Sequence, residues 1–114
     1  ISAIGYVFDE PWAARHSEAV RGFVAASREA KELLRSSDAE WEVLREMTRA
    51  QDDATLIALR DRFREGIPSR PLSEEMADTA EVYNFLAELG GEKLVGESKT
   101  MAPGTFWPVL VNGS

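Results

Sequence analysis

Cysteine is absent from the chain, which excludes a disulfide framework, a thiolate metal site and a cysteine nucleophile. Histidine occurs once. With no second imidazole or thiolate beside it, His16 cannot complete a metal site, and it falls where a helix-start residue is expected. Long apolar runs are missing too: no window approaches the roughly 18 residues that a membrane-crossing helix requires, and no signal-peptide pattern opens the chain. Positive charge is in deficit, with 13 Lys and Arg against 20 Asp and Glu and a net charge of −7. That balance argues against nucleic acid as a partner, because phosphate binding needs clustered basic residues that release counterions. Glycine-rich phosphate loops are lacking, since Gly90-Gly91 and Gly96 sit in no strand–loop–helix fingerprint. Neither a nucleophile elbow nor an HExxH helix is present. The residues therefore predict no catalytic group, no metal, no cofactor and no enzymatic activity.

What is present is globular in composition. Hydrophobic residues make up 44% and charged residues 29% of 114, enough for one modest core burying roughly two-thirds of the unfolded surface. The opening run "ISAIGYVF", residues 1–8, reads as a β-strand without a partner, and a strand beginning on Ile1 reads as an excised piece of a longer protein. In "DEPWAARH", Asp9 is placed to cap a short helix with Pro11 in its first turn and Trp12 as a buried anchor. From His16 or Ser17 to about Ser36, Val20, Phe23, Val24, Ala30, Leu33 and Leu34 recur on one face of a long helix.

"SDAE" at 37–40 has the form of a capping box opening a helix to about Arg49, with Trp41, Leu44 and Met47 as its stripe. Asp52 or Asp53 caps the next, in which Leu56, Leu59 and Phe63 repeat until Gly66 offers a stop. "GIPSRPLS" must be a connection, because two prolines in four residues forbid a regular helix. Ser73 is placed to cap a last long helix, with Glu74 and Glu75 favourable in its first turn. Met76, Ala80, Tyr83 and Leu86 or Ala87 form one stripe, and Val82, Phe85 and Leu89 widen it, which predicts burial on more than one side. Gly90-Gly91 end it, and the rest is expected to be irregular, with a short edge strand near 105–111.

The expected fold is thus mainly α: about five helices over 9–89, one N-terminal β-strand over 1–8 and an extended C-terminal tail over 90–114. The acidic pairs Asp52/Asp53 and Glu74/Glu75 lie where capping and helix-dipole effects already favour carboxylates, so they read as structural. Arg60, Arg62, Arg64 and Arg70 form a local positive run interrupted by Asp61 and Glu65, which suits a solvated helix face; the other reading is a docking patch for an acidic partner. Trp12, Trp41 and Trp107 read as core, although "GTFWP" clusters two aromatics outside a helix.

The order of segments in "GYVFDEPWAARHSEAVRGFVAASREAKELL" resembles the C-terminal part of periplasmic solute-binding proteins of ABC importers, in the nitrate, sulfonate, taurine and pyrimidine-precursor group. A small-Tyr-apolar-apolar run (residues 5–8) leads into Asp9, Trp12 and Ala13 and then a helix over 16–26, with His16-Ser17 standing where Asn-Pro is common in that group. "KELLRSSDAEWEVLREMTRAQDDATLIALRDRFREGIP" and "AELGGEKLVG" extend the likeness over nearly the whole chain.

The resemblance implies the C-terminal third of a two-lobe α/β fold, in which residues 1–8 form a strand returning from one lobe to the other beside a ligand cleft. It implies capture of a small solute (nitrate, sulfonate, bicarbonate or pyrimidine-precursor type) in the periplasm or at an anchored cell-surface site, and delivery to a membrane permease. Ligand contacts carried over residue by residue fall on Ser2, Ala3, Ile4 and Tyr6. A different reading is a free-standing helical module that self-associates through its apolar faces, and a homo-oligomer of this piece is expected on the same ground.

Overall fold

The structure, a computed structural model, describes residues 4–107. It contains seven helices among those residues: α1 (Glu10–Arg15), α2 (Ser17–Ser36), α3 (Asp38–Val43), α4 (Arg45–Thr48), α5 (Asp53–Glu65), α6 (Leu72–Gly90) and α7 (Glu92–Val95). No strand occurs among the described residues, so the N-terminal strand expected within a mainly α fold, and with it the α/β character that the two-lobe resemblance implied for this segment, is corrected to an all-helical arrangement of the described residues. Residues 4–8 are irregular and exposed. The reason is physical: a strand needs a ladder partner, and no second extended segment among the described residues pairs with this one. The edge strand expected near 105–111 is likewise absent over 105–107. Residues 1–3 and 108–111, the remainder of those two expected strands, lie outside the described residues.

The chain divides into two compact units, one formed by residues 6–68 and the other by residues 1–5 with 69–114. In the first, local chemistry sets the helix boundaries. Asp9 caps α1 through Oδ1, which accepts from the Trp12 amide at 2.8 Å, and Asp52 caps α5 by accepting from the Thr55 amide at 2.7 Å. The long α2 covers the span that its apolar periodicity predicts. The capping box expected at 37–40 does not form: Ser37 stands at the N-cap of α3 but makes no side-chain cap bond.

The single helix expected from there to Arg49 is broken at Leu44, whose amide bonds back only three residues to Trp41 O. The short α4 then ends in a Schellman arrangement. Arg49 adopts left-handed backbone (φ 58°, ψ 30°), its amide bonds to Glu46 O, and the Ala50 amide reaches Arg45 O. This turn drives Ala50 inward against Trp41 and Leu56, the core of this unit, with Leu34 and Leu44 packed beside them. Trp41 also meets Phe63 edge-on at 5.4 Å between ring centroids.

In the second unit α6 starts two residues earlier than a Ser73 cap would allow. Pro71 is its N-cap and Ser73 makes no cap bond. Met76, Ala80, Tyr83 and Ala87 are half-buried along one stripe, but no residue of α6 is fully buried, so the burial expected on two sides is corrected to one. Gly91 turns the chain at φ 62° into α7, an element the sequence did not suggest. Leu94 of α7 closes over Gly90, where an added Cβ would lie 2.6 Å from Leu94 Cδ2. The Tyr83 hydroxyl fastens the turn, its proton shared between Val95 O (3.0 Å) and Ser98 O (2.8 Å). No described helix is long and apolar enough to cross a membrane.

Candidate functional site

Of the four residues carried over as ligand contacts, Ser2 and Ala3 lie outside the described residues. Ile4 is 92% exposed and offers only an apolar side chain. Tyr6 is committed to α2: its hydroxyl shares a 2.7 Å hydrogen bond with Ser27 Oγ, its ring meets Phe23 edge-on at 4.8 Å, and Lys31 Nζ stands 5.5 Å from the ring centroid. Tyr6 therefore pins the leading segment to α2, through one hydrogen bond, one aromatic contact and one cation–π contact.

The densest polar arrangement in the first unit runs along α3 and α5. The Leu34 carbonyl, one of the last four of α2 and so without a helical partner, accepts from Trp41 Nε1 and from Arg64 Nε, both at 2.8 Å. Arg64 also holds Asp38 through Nη2 at 2.8 Å, and Arg60 Nη1 approaches the same carboxylate at 3.4 Å. The hydrogen bond from Arg64, then the charge of Arg60, hold the Asp38 carboxyl below its ordinary value.

Next to this, Arg45 forks onto Glu42 (Nε at 3.0 Å, Nη2 at 2.8 Å) and reaches Asp53. Its hydrogen bonds lower the Glu42 carboxyl and are matched by a raised affinity of Arg45 for its proton. Between these pairs lies a shallow groove of about 340 Å³ lined by Trp41, Arg45, Asp53, Ile57 and Arg60. The guanidinium groups on its walls are already engaged by carboxylates, so the groove presents neutralised charge to any ligand.

The arginine run that sequence offered as a docking patch is consumed in this way. Arg60 and Arg64 share Asp38, Arg62 pairs with Glu65, and in the second unit Arg70 pairs with Glu74 and Asp78. The acidic pairs follow suit: Asp52 caps, Asp53 pairs, and Glu74 and Glu75 occupy the first turn of α6. His16 donates from Nδ1 to the Trp12 carbonyl (2.9 Å) and stacks on the Trp12 ring at 4.4 Å. Trp12, expected to be buried, is 44% exposed, and Ala13 is the buried residue of α1.

No group of three His, Cys, Asp or Glu that could hold a metal is found among the described residues. A second hollow, about 490 Å³, lies at the end of α6, lined by Asn84, Glu88, Gly91, Glu92, Lys99 and Thr100. Sequence reasoning did not find it, because it is made by α7 and the positive-φ turns at Gly91 and Gly96, whose only sequence signal is the glycine spacing. Neither a protein-family model nor a curated protein sequence matches this chain.

Proposed function

We propose that this chain is the C-terminal helical segment of the solute-binding component of an ABC-type importer, which captures a small solute of the nitrate, sulfonate, bicarbonate or pyrimidine-precursor type and delivers it to a membrane permease. The ordered likeness of residues 5–26, 31–68 and 87–96 to that group is what carries the reading. The open apolar surface of α2, where Phe23 is 55% and Leu33 54% exposed, suits a piece that packs on further protein. On this reading the protein works outside the cytoplasm and performs no catalysis. Solute affinity rests mainly on cleft residues outside this chain, with Ser2, Ala3 and Ile4 at its margin. Tyr6 is held by α2 and acts there as an anchor.

The test is a thermal-shift screen of the full gene product against nitrate, bicarbonate, taurine, alkanesulfonates and pyrimidine precursors. Stabilisation by one of these classes supports the proposal, and its absence for all of them counts against it. The same exposed apolar residues of α2 favour a second reading, a self-associating helical module. Light scattering of the full gene product decides between the two, because a solute-responsive monomer excludes the module.

A further inference from the structure

The C-terminal half of α6 carries exposed apolar side chains. Val82, Phe85, Leu86 and Leu89 are 41%, 62%, 36% and 72% exposed. Their spacing of three and four residues places them in one stripe on the helix surface. Leu94, itself more than half exposed, is folded over Gly90. Gly90 is four residues after Leu86, so Leu94 prolongs the same stripe beyond the end of the helix. Along one flank run Glu74, Glu81 and Glu88, all exposed and seven residues apart. Glu74 is held by Arg70, whereas Glu81 and Glu88 make no ion pair with another described residue. Exposed apolar residues of α2 differ in this respect, since Arg28, Glu29, Lys31 and Glu32 mix both signs around Phe23 and Leu33.

In heptad terms Val82, Phe85 and Leu89 occupy seam positions and the glutamates the flanking position that selects partners by charge. A second copy is a poor occupant. Antiparallel pairing would set Glu81 and Glu88 against their own equivalents; parallel pairing would set Glu81 beside Leu86, and Lys93, the position Glu88 would meet, lies beyond the turn at Gly91 that ends the helix.

We infer that this face of α6 docks an amphipathic helix supplied from outside these 114 residues, with an apolar stripe and Lys or Arg spaced seven residues apart along the flank that meets Glu81 and Glu88. This does not rest on the importer reading; it follows from the stripe and its one-sided charge.

Binding of the chain is measured by fluorescence anisotropy to two labelled helical peptides with the same leucine stripe, one flanked by lysines and one by glutamates. The wild-type chain is expected to prefer the basic peptide by about tenfold or more at low salt, with the preference shrinking as salt rises. The pair Glu81→Lys and Glu88→Lys should invert the preference. The pair Glu29→Lys and Glu46→Lys, which changes net charge equally at a distance in sequence, should leave it in place. Phe85→Ala with Leu89→Ala should weaken binding to the basic peptide; if circular dichroism shows that this variant has lost its helices, the glutamate reversal decides alone. Equal affinity for both peptides overturns the inference. So does an equal loss in the distant charge variant, or a wild-type dimer that Leu89→Asp dissociates.

Discussion

One carbonyl, that of Leu34, gathers three elements. It ends α2 without a helical partner and receives the indole N–H of Trp41 from α3 and the guanidinium of Arg64 from α5. Arg64 does this while also gripping Asp38, a two-partner task that suits a planar fork and not a point-charge ammonium. Arg64→Lys should therefore lower the urea midpoint measurably, while Arg62→Lys, at an exposed i,i+3 pair with Glu65, should leave it unchanged; equal effects would mean that the Leu34 junction adds nothing.

The carboxylates here also fix the direction of the acid response. Asp38, Glu42 and Asp52 all titrate below their ordinary values of 3.8, 4.5 and 3.8, drawn down by Arg64, Arg45 and the Thr55 amide respectively. A carboxyl lowered in the folded state stabilises fully above its unfolded value, and that contribution is lost as pH falls through the folded one. The urea midpoint should stay level down to about pH 5 and fall below about pH 4. Asp38→Asn should start lower at neutral pH and fall less steeply; a midpoint that rises on acidification would contradict this.

At the scale of elements, the ends of helices decided what the sequence could tell. Asp9 and Asp52 were legible as caps because a short carboxylate before an apolar-periodic run has one obvious partner, the amide three residues on. Ser37 and Ser73 carry the same signal and make no cap bond. At the second of these, Pro71 supplies a fixed φ two residues earlier and Ser73 falls inside the first turn. The break at Leu44 was invisible because Trp41, Leu44 and Met47 keep helical spacing across it; packing of Trp41 and Ala50 overrides the local pattern. Met47 ends up exposed as a result.

Arg49 sits at that junction in left-handed backbone, a conformation that costs a residue with a Cβ about 1–2 kcal/mol and glycine little. Against the entropy that glycine adds to the unfolded chain, Arg49→Gly should still raise stability by up to about 1 kcal/mol in chemical denaturation. A destabilised variant would mean that the Arg49 side chain has a role of its own.

Over the whole molecule, the helices expected from periodicity are found, and the N-terminal strand expected from the opening run is not found among the described residues. Periodicity is a property of one segment, so α2 and α5 appear in full. A strand is a property of two, and the β-branched and aromatic residues of 4–8 have no partner strand among the described residues. The site was less legible still. Tyr6 could be marked from the resemblance, but its attachment to Ser27 and Phe23 across more than fifteen residues of sequence needed coordinates. The cavity beside Glu88 and Lys99 needed α7.

What the molecule offers as a whole is two helical units without a metal cluster among the described residues, with ion-paired arginines and open apolar faces on α2 and α6. Open apolar faces of this kind suit association with further protein, and the importer proposal gives them a task. The most direct test is the melting temperature of the full gene product with and without the candidate solutes. A ligand present at a hundred times its dissociation constant should stabilise the folded protein by about 2.7 kcal/mol and raise the transition by several degrees for one solute class. An unchanged transition with nitrate, bicarbonate, sulfonates and pyrimidine precursors alike would contradict the account.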